Sequence, residues 1–208
     1  MIKNIIFDIG NVLIQNPTLE DVKKFFKRKE DAMIFNNYIF SSKLWIDFNL
    51  GTITEHEIIK EINEKKLITI SDYGEVENFM LHWIDNLRAN FDTMDIGYAL
   101  KEKGYKIYLL SNMTKQAYDS FVEKYSFFSD IDGAIVSAYE GVMKPDVRIF
   151  EKILKKYSLK SDECVLIDDD DTGRTIDAAK SLGINCRRVV PNNAEDVKRL
   201  LNENGVQI

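Results

Sequence analysis

The chain has 208 residues, 45% of them hydrophobic and 30% charged, and a net charge of -6. That length serves one core domain with an elaboration or two small domains, and the composition is globular rather than disordered. The acidic balance, with no basic stripe, argues against nucleic acid or an anionic membrane surface as partner. The locally basic run from Lys23 to Lys29 reads as the solvated face of a helix. Cys164 and Cys186 sit in apolar, strand-like runs and read as buried reduced thiols, which suits a reducing compartment. The opening apolar run is short and broken by Asp8, unlike a secretory signal, and no uncharged run has the length of a membrane span. A soluble cytoplasmic protein is the expectation.

The first predicted element is a buried parallel strand over residues 1–7, ending in Asp8 with Gly10 just beyond. From Thr18 to about Asn90 the period turns helical: Val22, Phe25 and Phe26, then Ile58, Ile59 and Ile62, then Phe79, Trp83 and Ile84 recur at i, i+3 and i+4. Thr18 with Asp21 and Thr54 with Glu57 resemble capping boxes. About 70 residues of helix before the next strand exceed what a βαβ crossover needs, so the stretch 16–90 is expected to be an inserted all-α domain. Residues 1–15 and 91–208 would form the core.

From Thr93 the pattern alternates. A helix over 94–103 stops at Gly104; a strand over 106–110 ends in Ser111-Asn112; a helix covers about 115–125. A strand over 133–137 leads through a loop to Lys144-Pro145. A helix over 147–157 precedes the strand 164–167, which runs into Asp168-Asp169-Asp170-Asp171. A helix over 175–182 stops at Gly183, a fifth strand covers 186–190, and a closing helix covers 194–202. This alternation predicts an α/β fold: a Rossmann-like parallel sheet of five main strands with helices on both faces, carrying the inserted helical cap.

Asp8, Ser111, Lys144 in the loop past the third core strand, and the aspartate run all fall at strand carboxyl ends. There they should converge on one crevice. Carboxylates, a hydroxyl and a lysine together suit phosphoryl transfer: a carboxylate attacks phosphorus while Mg2+ and a lysine offset charge on the transferring oxygens. Mg2+ favours a few carboxylates, with water and phosphate completing its octahedron.

Asp8-Ile9-Gly10-Asn11-Val12-Leu13, Leu109-Leu110-Ser111-Asn112, Lys144-Pro145-Asp146 and Leu166-Ile167-Asp168-Asp169 resemble the four ordered motifs of the haloacid dehalogenase superfamily. The resemblance covers the whole chain, because the helical stretch falls where that superfamily inserts an α-helical cap. Trp45-Ile46-Asp47-Phe48-Asn49-Leu50-Gly51-Thr52-Ile53-Thr54 resembles the cap segment of the subgroup with sugar-phosphate phosphatases and the N-terminal domains of soluble epoxide hydrolases. The resemblance implies that Asp8 is the nucleophile, forming an aspartyl-phosphate, and a metal ligand. It implies that Gly10 lends its carbonyl to Mg2+, and that Ser111 and the amide of Asn112 bind the phosphoryl oxygens. Lys144 would neutralise charge around Asp8 and the phosphate; Asp169 would bind the metal directly, with Asp168 beside it. Two departures stand out. The position two after Asp8, where most such phosphatases carry an acid/base aspartate, is Gly10, which has no side chain to protonate a leaving group. The aspartate run is about two residues longer than usual, so Asp170-Asp171 competes with Asp168-Asp169 for the metal; the strand, which fixes depth, favours Asp168-Asp169.

The expected function is a Mg2+-dependent phosphatase of a small phosphorylated metabolite, with sugar phosphates foremost. One alternative is a 2-haloacid dehalogenase using Asp8 without metal, against which the aspartate cluster would repel a substrate carboxylate. Another is a phosphoryl-binding protein impaired in catalysis by Gly10. His56 and His82 read as surface or packing residues, and Trp45, Phe48 and Trp83 as helical core with one candidate at a substrate entrance. Arg174 is expected to pair with the aspartate run. Oligomeric state is open.

Overall fold

The central strands are apolar on both faces, which suits a parallel sheet covered by helices on each side. The computed structural model describes residues 1–207. Its main sheet joins β1 (Asn4–Phe7), β4 (Lys106–Ser111), β5 (Gly133–Val136), β6 (Cys164–Asp168) and β7 (Asn185–Arg188) in the order β5-β4-β1-β6-β7. Every pairing in it is parallel. Alternation along the strands sorts side chains to two layers. Ile5, Phe7, Leu109 and Ile167 join one apolar cluster, and Ile6, Leu110 and Leu166 join the other.

The chain leaves β1 for β4 and β5 on one side, then returns past β1 to β6 and β7 on the other. The order therefore reverses at β1, the switch point where open α/β sheets form their crevice. Register decides what stands there. Phe7 lies opposite both Leu109 and Ile167. The residues just beyond, Asp8 and Asp168, come side by side, and Ser111 closes β4 next to them.

Helices α6 (Phe91–Glu102), α7 (Lys115–Lys124), α10 (Val147–Lys156), α11 (Arg174–Ser181) and α12 (Ala194–Glu203) flank the sheet, close to the ranges read from periodicity. Two short helices went unread: α8 (Ser126–Asp130) and α9 (Ser137–Glu140), each too brief to show a period. A short antiparallel pair, β2 (Ile14–Gln15) and β3 (Arg88–Ala89), also left no alternation to find. Between these two strands lie α1 (Leu19–Lys23), α2 (Lys29–Ile39), α3 (Lys43–Asn49), α4 (Glu55–Lys65) and α5 (Gly74–His82).

Both anticipated capping boxes are present: Thr18 with Asp21 starts α1, and Thr54 with Glu57 starts α4. Phe35 and Phe79 meet edge to face at 5.0 Å, with Phe25 5.2 Å from Phe79. These rings belong to the same cluster as one sheet face, so the helical stretch packs continuously onto the core. The basic run does not form a helix face. α1 ends at Lys23, and Lys24 and Lys27 beyond it pair with Asp21 and Asp72. Among the described residues no helix is long and apolar enough to cross a membrane.

Candidate active site

Asp8 follows β1 directly and is buried, its amide bonded to the Ile167 carbonyl at 2.8 Å. Its Oδ1 accepts the Ile9 amide at 2.7 Å and stands 3.0 Å from Lys144 Nζ. Among the described residues Oδ2 has no such partner. Lys144 is 5% exposed and reaches Asp168 Oδ2 at 2.5 Å, so one buried ammonium lies between two carboxylates. A buried charge persists only with such partners. Burial pushes the Asp8 carboxyl up, the Lys144 ammonium opposes this, and Asp168 adds to it, leaving it above the ordinary carboxylate range. Burial alone would lower the Lys144 ammonium, but Asp168 and Asp8 more than reverse this and raise it.

Asp168 has both oxygens engaged: Oδ2 by Lys144, and Oδ1 by the Asp170 amide at 2.9 Å. Asp169 is half-buried, and its Oδ2 accepts Asn11 Nδ2 at 3.1 Å. Burial is the main influence raising its carboxyl above the ordinary range. Asp170 turns away, accepting the Thr175 amide at 2.8 Å and the Thr172 hydroxyl, while Asp171 is exposed. The structure therefore groups Asp168 and Asp169, not Asp170 and Asp171, with Asp8. Oxygens of Asp8, Asp168 and Asp169 lie within 4.8 Å of one another. Three hard carboxylates fit a cation such as Mg2+. The charge balance agrees: three carboxylates against one ammonium leave the site negative, so an anionic ligand needs a cation there.

The loop carrying Lys144 is fastened from the neighbouring strand. Asn112 Nδ2 donates to the Lys144 carbonyl at 2.8 Å, and the Lys144 amide donates to Asn112 Oδ1 at 2.7 Å. Sequence reading gave Asn112 a phosphate-binding amide and missed this clamp. Asn11 was missed too. Its φ of 51° is tolerated by asparagine, and this backbone turn aims its side chain at Asp169. Ser111, 1% exposed, lines the same cavity of about 530 Å3 as Asp8, Gly10, Lys144 and Asp169. Arg174 also lines it and donates to the Thr172 hydroxyl; the expected pairing with the aspartates is not made. His56 and His82 are exposed on the helical stretch, away from the cavity.

Gly10 faces this cavity, and the space its side chain would fill is bounded by Asn16. A Cβ there would stand 3.0 Å from Asn16 Oδ1. A second cavity of about 470 Å3 opens beside the first, and the two share Asn16, Ile46, Asn112, Met113 and Met143.

The parallel sheet and its strand-end carboxylates define a Rossmann-like α/β protein with an aspartate-centred site. The chain matches the haloacid dehalogenase-like hydrolases over residues 2–183, and it belongs to that family. It is 28% identical over 198 residues to acyl-CoA dehydrogenase family member 10 of Mus musculus, covering 89% of this chain but 18% of the mouse protein. It is 24% identical over 167 residues to a sesquiterpene phosphatase of Aspergillus oryzae, covering 80% of each. A HAD family enzyme of Bacteroides thetaiotaomicron, solved with magnesium and inorganic phosphate, superposes with a TM-score of 0.69 at 22% identity, covering 93% of this chain and 96% of that one. The L-2-haloacid dehalogenase of Xanthobacter autotrophicus superposes at 0.64 with 16% identity, over 98% and 83%. The fold is thus shared by an enzyme solved with magnesium and phosphate and by a dehalogenase.

Proposed function

We propose that the protein is a Mg2+-dependent phosphatase of a small phosphorylated metabolite, acting through an aspartyl-phosphate on Asp8. The observation that carries this is the cluster of Asp8, Asp168 and Asp169 around the buried Lys144 ammonium. A metal-free site with this charge would repel a haloacid carboxylate; with a divalent cation it attracts a phosphate. The phosphatase relative and the magnesium–phosphate complex of the structural neighbour support the same choice.

Asp8 is the nucleophile. Its Oδ1 is held by the Ile9 amide and Lys144, which leaves Oδ2 to attack phosphorus while the ester oxygen departs. Lys144 counters charge on Asp8 and on the phosphoryl group. Ser111 and the Asn112 amide bind the phosphoryl oxygens, with the Asn112 side chain holding Lys144 in position. Asp8, Asp169 and the Gly10 carbonyl would hold Mg2+, and Asp168, whose oxygens are already engaged, supports them. Bound there, the ion supplies electrophilic stabilisation of the transferring phosphoryl oxygens. Residues 16–90 act as a cap that covers the crevice and excludes water from the first step.

The test is turnover by the wild type and Asp8→Asn over a panel of phosphorylated metabolites, with Mg2+ and with EDTA. Asp8→Asn should lose at least about a thousandfold in kcat with unchanged circular dichroism. Activity surviving in that variant would sink the nucleophile assignment, and activity indifferent to EDTA would sink the metal.

A further inference from the structure

Resting on the phosphatase reading, we infer that the substrate is an apolar phosphate monoester whose leaving oxygen departs unprotonated, as in aryl phosphates, rather than a sugar phosphate. Two separate features point there. The first is the cavity adjoining the acidic site. Its walls include Phe40, Trp45, Trp83, Leu87, Ile46 and Met143, and none of the described residues lining it is titratable. Trp45 lies 5.3 Å from Trp83 and 4.9 Å from Phe40, ring centre to ring centre, so one wall is an aromatic surface. Of the three asparagines in the lining, Asn49 Nδ2 is bonded to the Trp45 carbonyl and both ends of the Asn112 amide to the Lys144 backbone, which leaves Asn16. About 470 Å3 is ample for a small organic group. A polyhydroxylated ring placed there would lose water and find few hydrogen-bond partners, whereas a flat apolar group gains burial and edge contacts.

The second feature is the junction of the two cavities, where the ester oxygen must lie if the phosphate occupies the acidic side. The shared residues are Asn16, Ile46, Asn112, Met113 and Met143. None is an acid. Gly10, beside Asn16, supplies none either. The leaving oxygen therefore departs as an anion, which favours a weakly basic one such as a phenolate.

The bonds balance without further reagents. The Asp8 carboxylate forms an O–P bond as the ester P–O bond breaks, and the electron pair leaves on the aryloxide. Water then attacks the aspartyl-phosphate phosphorus, freeing the Asp8 carboxylate. One water proton stays on the released phosphate and the other reaches the aryloxide.

Four monoesters separate the two features. 1-Naphthyl phosphate and phosphotyrosine share a phenolic leaving oxygen but differ in the polarity of the attached group. n-Hexyl phosphate is apolar with a basic leaving oxygen, and glucose 6-phosphate is polar with a basic one. With Mg2+, kcat/KM for 1-naphthyl phosphate should exceed each of the others by at least about 30-fold. Phosphotyrosine or glucose 6-phosphate matching it overturns the apolar cavity as the organic subsite. n-Hexyl phosphate matching it overturns the unprotonated leaving group.

Binding gives a readout independent of turnover. The chain has two tryptophans, and both line the cavity. 1-Naphthyl phosphate should quench their fluorescence saturably in Asp8→Asn with Mg2+ present, where turnover is blocked, while glucose 6-phosphate should not. Saturable quenching with no turnover of any ester supports the cavity assignment and overturns the phosphatase reading instead. Absence of quenching overturns the cavity assignment even where esters are hydrolysed.

Discussion

Asp8 and Gly10 stand two residues apart and would define opposite halves of the proposed chemistry. Burial raises the cost of a charge on Asp8 and the Lys144 ammonium 3.0 Å away offsets it, which suits the nucleophile proposed for that position. In the proposed mechanism Gly10 leaves the departing oxygen without a proton donor. Asn16 alone crowds that position, through the far end of an exposed side chain that can swing aside. Gly10→Asp should therefore fold, and it places a carboxyl at the junction of the cavities. Steady-state kinetics should show kcat/KM for n-hexyl phosphate rising by roughly 100-fold, with 1-naphthyl phosphate changed little, because general acid catalysis helps most where the leaving oxygen is basic. An equal effect on both esters would mean that the new carboxyl acts otherwise than as an acid.

At the scale of elements, the end of α3 is fastened to α9. Ser137 Oγ donates to the Asn49 carbonyl at 2.5 Å and accepts the Met113 amide at 3.0 Å, so one hydroxyl links the helical stretch to the loop after β4. Gly51, next along, has φ of 70°, and a Cβ there would stand 2.3 Å from the Ala138 carbonyl oxygen. Both the conformation and the backbone contact exclude a side chain. Gly51→Ala should cost about 2–4 kcal/mol in chemical unfolding. Gly104→Ala, with φ of 90° and open space around the Cβ, should cost about 1 kcal/mol. Near-equal losses would show that the α3–α9 contact yields easily.

Asp21 in α1 is another fastening. Burial would raise its carboxyl, but hydrogen bonds from Lys24 and Thr18 outweigh it and hold it at about 2, with Arg88 of β3 paired at 3.2 Å. Because the folded value lies below the ordinary 3.8, the stabilisation is present above 3.8 and lost as pH falls through about 2. Unfolding followed from pH 4 down to pH 2 should show a steeper loss of stability in the wild type than in Asp21→Asn.

Taken whole, the molecule places an acidic pole at the strand ends and an aromatic cavity between sheet and helices, open to each other. An ion that binds only the folded acidic pole stabilises the whole chain by mass action. Mg2+ at saturating concentration should raise the melting temperature by several degrees, and Asp169→Asn should remove most of that increase. Scanning fluorimetry against Mg2+ concentration checks this without any substrate. A wild type indifferent to Mg2+ would count against the proposed metal centre.

The local order of this fold was legible because it rests on local rules. Apolar runs closed by Asp8, Ser111 and Asp168 read as buried strands with polar ends, and Thr18 and Thr54 announced helix starts through contacts three residues apart. What stayed hidden rests on distance along the chain. Asn11 meets Asp169 across 158 positions, and Asn112 meets Lys144 across 32. The same holds for the second cavity. Trp45, Phe48 and Trp83 read as helical core with one candidate at a substrate entrance and no way to choose it, because an aromatic residue on a helix face carries the same periodic signal whether it fills a core or lines a void; Trp45 and Trp83 line the cavity. Thus the sequence by itself determined the parallel α/β order and the acidic strand ends, since strand length and alternation are short-range properties. Only the tertiary structure decided which two aspartates of the run join Asp8, what bounds Gly10, and that the space beside them is apolar, since those depend on register and packing.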